Sequence, residues 1–352
     1  MPTMSKTIVM IHLGGLGDVL LAVPAMVRLR TRFPSHWLVL CAEEQVAKLL
    51  LACRIVDAWT SVQGRNCAGL FTGAGLVTGQ VRVWLEDCDL AIAWTDDFDG
   101  KLSETLKAVG AREVITRSPF SATIRARHQR DRFLEAINEA PSGDAEDILL
   151  TVTEPLFRLG RICLEAAGCL PGQSFVVIHP GSGSIHKCVA LETLASVVAA
   201  VQMSGATPVL LEGPADQEQV DRLLPLCGDR PIVLKGLDLL TVAGVLARAH
   251  FFVGQDSGIT HLAGLMGMHT VALFGPTDPD RWAPQGTHVA VVQGAPCLCS
   301  SWSDVSRCQE KPCLKIQQGD LVAQCVGRIE ETAARQKILS GCLVTDYPVM
   351  LK

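Results

Sequence analysis

The sequence predicts an α/β protein of two doubly wound domains, each a parallel sheet with helices on both faces. Three observations carry this. Short apolar runs alternate with amphipathic segments of helical spacing from Thr7 onward. The same order of elements starts again at Ser174, after a stretch punctuated by proline and glycine. Three apolar runs also end in glycine-bearing turns: Gly14-Gly15-Leu16-Gly17, Gly181-Ser182-Gly183-Ser184 and Asp256-Ser257-Gly258. Ligands of such sheets bind beyond the carboxyl ends of the strands, so these turns are expected to face one cleft.

The first half opens with a strand over Thr7–Leu13, a glycine turn, and a helix from about Asp18 to Arg32 that stops at Phe33-Pro34-Ser35. A strand over Trp37–Cys41, a helix over Glu43–Ala52 and strands over Ile55–Trp59 and Leu90–Trp94 follow. The second half reads as strand Ser174–His179, helix Leu191–Met203, strand Thr207–Leu211, helix Ala215–Leu226 and strand Pro231–Leu234. A helix over Leu239–Arg248 leads to a strand at Ala249–Val253, a helical segment at His261–Met268 and a strand at His269–Phe274. The linking stretch Pro141–Gly172 ends in Gly-Cys-Leu-Pro-Gly, which places the boundary near Leu170. The expected domains are residues 1–170 and 171–328, followed by a tail over 329–352.

The 352 residues suit two domains, and 48% hydrophobic with 19% charged residues supplies apolar mass for two cores. A net charge of −5 and 5% aromatics argue against a nucleic-acid partner, which would want a basic, stacking surface. The apolar run at Thr7–Leu13 is too short to span a bilayer and lacks a cleavage pattern, so a cytoplasmic protein is expected. Most of the fourteen cysteines are scattered and read as reduced core-filling residues.

Each glycine turn has a plain reading and a chemical one. Asp256, Ser257 and Gly258 hand a strand to a helix start; that suits either a helix cap or an anion held on free N–H groups, with His261 one turn on. Gly15 and Gly17 lack the third glycine of a dinucleotide fingerprint, because Leu20 stands there, and the loop lacks a P-loop lysine. That disfavours a nicotinamide-dependent oxidoreductase. Asp18 then reads as an N-cap or as a general base, provided burial offsets the acidifying helix terminus. Ser182, Gly183 and Ser184 offer backbone N–H groups, with Lys187 as a point charge for a diphosphate.

Taken in order, these motifs resemble glycosyltransferase family 9, the ADP-heptose:lipopolysaccharide heptosyltransferases. The matching pieces are Gly15-Leu16-Gly17-Asp18 with Val23-Pro24-Ala25, His179-Pro180-Gly181-Ser182 with Lys187, and Gly213-Pro214-Ala215-Asp216 with Glu218. Asp256-Ser257-Gly258-Ile259-Thr260-His261-Leu262 and Phe274-Gly275-Pro276-Thr277-Asp278-Pro279 complete the set, from Ile8 to about Val326. The resemblance implies a GT-B fold with a C-terminal helix, from about Glu330 to Ile338, crossing back to the first domain. It implies inverting, metal-independent transfer of heptose from an ADP-sugar donor onto the lipopolysaccharide inner core. Asp18 maps to the base, Lys187 to the phosphate contact, Asp256, Ser257 and Gly258 to the donor-holding turn, and Glu218, or the nearby Asp216, to the ribose contact. Ser257 replaces the usual threonine, and Glu212 stands where the family often has glycine. Transfer from another nucleotide-sugar, or sugar-nucleotide binding without catalysis, are the alternatives.

Arg125, Arg127, His128 and Arg130 belong to an arginine-rich stretch in the first domain. It reads as a solvated helix face or as a cationic surface for the anionic acceptor and the inner leaflet of the membrane. Cys297, Cys299, Cys308 and Cys313 cluster near the end, but without the paired C-x-x-C frame of a structural zinc site. Free or locally oxidised thiols are the expected state, with structural zinc as the alternative.

Overall fold

The computed structural model describes residues 6–118, 120, 127–139 and 150–329. Strands β1 (Thr7–His12), β2 (Trp37–Ala42), β3 (Ala58–Ser61), β4 (Cys88–Trp94) and β5 (Glu113–Thr116) form one parallel sheet in the order β3-β2-β1-β4-β5. Strands β6 (Phe175–His179), β7 (Thr207–Glu212), β8 (Ile232–Lys235), β9 (Phe251–Gln255), β10 (Thr270–Phe274) and β11 (Val289–Gln293) form a second parallel sheet in the order β11-β10-β9-β6-β7-β8. Every residue of β1, β6, β9 and β10 is buried, as expected of strands covered on both faces.

In each sheet the strand order reverses once, between β1 and β4 and between β6 and β9. Those are the points where a doubly wound sheet opens a crevice at its carboxyl ends. The three glycine-bearing turns leave β1, β6 and β9, so topology alone brings them to the two switch points.

Local chemistry shifts several predicted bounds. The first helix starts at Leu16, directly after the turn, and stops at Leu21; a second runs over Val23–Arg32 with Pro24 in its first turn. Proline has no N–H to continue the ladder, so a break there replaces one long helix. The helix after β9 begins at Gly258 rather than His261, because Ser257 caps it. β5 and β11 escaped the sequence reading: both are edge strands of mixed exposure, β5 short and flanked by charge, while β11 carries the apolar run Val289–Val292 that was passed over. The linking stretch holds a helix over Glu154–Ala166 that packs on the helix Leu239–Leu246. The crossing is made by glycines: a Cβ on Gly160 would overlap the Gly244 backbone, and one on Gly244 would overlap Leu156.

The largest hydrophobic cluster runs from Ile8 and Met10 of β1 through Leu156 and Leu164 to Leu239, Leu246 and Leu262. The two halves therefore share apolar packing in addition to the cores peculiar to each. Residues 318–329 are helical; the crossing helix expected at about 330–338 lies outside the described residues.

Candidate active site

Gly15, not Asp18, is the N-cap of the helix Leu16–Leu21, and Asp18 stands in its first turn. Its carboxylate packs under Gly14, close enough that a Cβ there would sit 2.9 Å from Oδ2. Burial raises the Asp18 pKa, against the lowering effect of the Gly15 backbone hydrogen bond and of the Lys187 charge; Asp256 adds to the rise. Beneath this loop His12 accepts a hydrogen bond at Nδ1 from the Gly14 N–H at 3.0 Å. It lies against Trp94 and Phe133, and burial lowers its pKa to about 4. A neutral His12 is thus a fixed prop for the turn.

Across the cleft, Lys187 Nζ lies 2.8 Å from Asp256 Oδ2 and 5.6 Å from the Trp302 ring centroid. Asp256 therefore holds the lysine. Ser182 donates to the Asp256 carbonyl at 2.5 Å, and Ser184 caps the short turn that carries Lys187. The Ser257 hydroxyl accepts from the Thr260 N–H at 3.4 Å and also lies 3.1 Å from His179 Nδ1. His179 Nε2 is 2.9 Å from Asp216 Oδ2. Burial pushes the Asp216 carboxyl up, but the His179 hydrogen bond and charge, with the Gly213 N–H, hold it below the usual carboxylate range. Gly181 is required here, since any Cβ would overlap the Asp216 carboxylate.

Gly17 and Gly258 serve close approach of the domains more than of a ligand. A Cβ on Gly258 would meet Leu16 at 2.8 Å, and one on Gly17 would meet His261 at 3.1 Å. His261 is buried, and burial lowers its pKa to about 4, partly opposed by Asp256.

Two adjoining cavities follow. The larger, about 750 Å³, is lined by Asp18 and Leu16 from the first domain and by Lys187, Asp256, His261, Arg281 and Trp302 from the second. Thr277 also lines it, and among the described residues its buried Oγ1 has no hydrogen-bond partner. The smaller, about 390 Å³, is walled by aliphatic side chains such as Leu211, Leu237, Leu239, Val242 and Ile259, with Glu212 and Glu43 at polar positions. Leu16, Gly183, Ser257 and Gly258 border both. The larger cavity mixes apolar surface with the cations Lys187 and Arg281 and the carboxylates Asp18, Asp256 and Asp278; the smaller suits a flat apolar group. Together they match an elongated ligand with a charged middle.

Of the predicted donor residues, Gly15, Gly17, Gly183, Lys187, Asp256, Ser257, Gly258 and His261 come together at the larger cavity. Glu218 does not: it is exposed and pairs with Arg222 one helical turn away at 3.4 Å, outside both cavities. Asp216 lines the smaller cavity but is engaged by His179, and Glu212 and Glu43 also line it. His12, Glu212, Thr277, Arg281 and Trp302 were missed. Glu212 had a signal as a departure from the motif, and Thr277 as a member of the Phe274–Pro279 piece.

The arginine stretch is largely paired within itself. Arg127 pairs with Glu135 and Arg130 with Asp131 at 2.9 Å, while His128 caps a helix and reaches the Ala283 carbonyl across the domains at 3.0 Å. Arg125 lies outside the described residues. Arg132, missed as a site residue, is raised in interest by the crowding cations Arg281, Arg117 and Arg127; burial first, then those charges, lowers its pKa. Among the described residues its Nε and Nη1 are buried without a partner.

Two facing parallel sheets with a cavity between them form a GT-B fold. The model for "Glycosyltransferase family 9 (heptosyltransferase)" matches residues 161–311. Lipopolysaccharide heptosyltransferase 3 of Escherichia coli K12 is 26% identical over 76% of this chain and 82% of its own length. Among solved structures, a family 9 glycosyltransferase from Veillonella parvula superposes with a TM-score of 0.76 at 20% identity, covering 94% of this chain and 98% of that one. The ADP-heptose lipopolysaccharide heptosyltransferase II of E. coli gives 0.70 at 14% identity, covering 92% and 99%. The chain is similar to the family 9 glycosyltransferases and is a glycosyl-transferring enzyme.

Proposed function

We propose that this enzyme moves heptose from ADP-heptose to the lipopolysaccharide inner core with inversion, using Asp18 as base and no metal at the reacting carbon. The observation that carries this is the pairing across one cavity of a carboxylate whose pKa is raised and a lysine held in place. The acceptor hydroxyl gives its proton to Asp18 as its oxygen attacks the anomeric carbon from the face opposite the leaving group. The bond to ADP breaks, and its electron pair goes to the diphosphate. Lys187 and the free N–H groups at the start of the helix Gly258–Leu265 neutralise that charge. The aliphatic cavity takes adenine, and Glu212 is placed for the ribose hydroxyls. The unpaired Arg132 group beside Arg281 supports an anionic acceptor, met by a protein peripheral to the membrane; among the described residues no helix is long and apolar enough to cross one.

The test is Asp18→Ala, assayed for turnover and, by calorimetry, for ADP-heptose affinity. Turnover should fall by roughly 10²–10⁴-fold, the usual share of general base catalysis, with affinity kept. Retained turnover removes Asp18 as the base. Thermal-shift ranking of ADP-heptose against UDP-sugars tests the donor, since only a ligand bound by the folded state raises the midpoint. Preference for another nucleotide-sugar, or binding without any turnover in the native enzyme, would replace this reading.

A further inference from the structure

Cys297, Cys299, Cys308 and Cys313 lie on the excursion between β11 and the helical segment at 318–329. The excursion folds back on itself. Cys297 Sγ is 3.0 Å from Cys299 Sγ and 4.0 Å from Cys308 Sγ, and all three sulfurs lie within 4.8 Å of one another. The Cys313 thiol engages Cys297 from the buried side. Sulfurs around a tetrahedral ion sit about 3.8 Å apart, given Zn–S bonds of ~2.3 Å. The cluster needs only the close Cys297–Cys299 pair to open slightly.

A second observation points the same way. The Lys311 N–H donates to Cys308 Sγ at 3.3 Å, and Lys311 has φ of 39°, a left-handed conformation that non-glycine residues seldom adopt. A backbone N–H aimed at sulfur stabilises a thiolate, the form that binds metal. Apolar anchoring of the excursion is thin: Leu298 is fully exposed, and among the described residues Cys313, Leu314 and Ile316 enter the second core.

We propose that these four cysteines form a structural metal-thiolate site for a zinc-class divalent ion, and that this site fixes one wall of the larger cavity. Cys299, Ser300, Ser301 and Trp302 line that cavity, Trp302 lies over Lys187, and Lys311 Nζ is 3.3 Å from His186 Nδ1. The ion binds as the thiols release protons to solvent. Its role is structural: it ties the wall together through its ligands, of which Cys299 lines the cavity.

The full chain, purified reduced and stripped with a chelator, is titrated with cobalt(II). Thiolate-to-cobalt charge-transfer bands and intense tetrahedral bands should saturate at about one ion per chain. Cys308→Ser should weaken or abolish them. Zinc should raise the thermal midpoint of the stripped protein. Absence of both the cobalt bands and zinc stabilisation overturns the site, as does a Cys297–Cys299 disulfide that persists in the protein as purified. The coupling rests on the donor reading and is tested separately. Stripping should weaken ADP binding several-fold, restored by zinc; unchanged ADP affinity with cobalt bands present overturns the coupling alone.

Discussion

Asp18 illustrates how one residue acquires its chemistry from neighbours distant in sequence. A carboxylate in the first turn of a helix is normally made more acidic. Here burial outweighs that and raises its pKa, while Lys187 pulls it back. The acid limb of kcat/KM, which follows ionisation of the free enzyme's base, should therefore lie above the ordinary carboxylate value of about 3.9. Removing the lysine charge removes a lowering influence, so Lys187→Gln should move that limb to higher pH while also reducing the rate. A pH profile of the variant that stays put or moves down would mean that the titrating group is not Asp18. The roles of Asp256 and Asp216 changed in the same way. Both are motif acids, yet one holds Lys187 and the other His179, because each is buried beside a cationic or hydrogen-bonding partner that local spacing does not announce.

At the scale of elements, glycines mark where backbones meet. Gly14, Gly17 and Gly258 could be read as ligand-cradling turns, but Gly17 and Gly258 bring the helices Leu16–Leu21 and Gly258–Leu265 together across the domains. Gly160 and Gly244 do the same for the helix of the linking stretch. Gly160→Leu would drive a side chain into the Gly244 backbone, and overpacking of this kind costs about 1–3 kcal/mol, occasionally more. Chemical denaturation should show that loss, and a midpoint equal to the native protein's would disprove the tight crossing. Predicted strands were legible wherever both faces are covered, because continuous apolar runs follow from that burial. β5 was not, since an edge strand can stay polar; β11, although apolar over Val289–Val292, was passed over.

For the whole molecule, the shared cluster that joins β1 to the helices Leu239–Leu246 and Gly258–Leu265 has a thermodynamic consequence. Domains with small polar interfaces move and melt independently, whereas a large apolar interface couples them. Scanning calorimetry should show one transition, and two well-separated transitions would contradict the shared core. The same interface sets the cavity: Leu16 borders both its parts, and His128 reaches Ala283 beside Trp282.

The sequence by itself determined the two-domain α/β architecture, the three loops and the resemblance to family 9. Strand burial leaves apolar runs, and turns that need small residues leave glycines at fixed places along the chain. Only the tertiary structure decided which acids pair with which cations, that Glu212 rather than Glu218 faces the smaller cavity, and that Cys297, Cys299 and Cys308 converge at the wall of the larger one. Those outcomes depend on distances between residues far apart in the chain. Coulomb interaction, desolvation and ligand geometry act through space, and the chain's order does not encode that spacing locally.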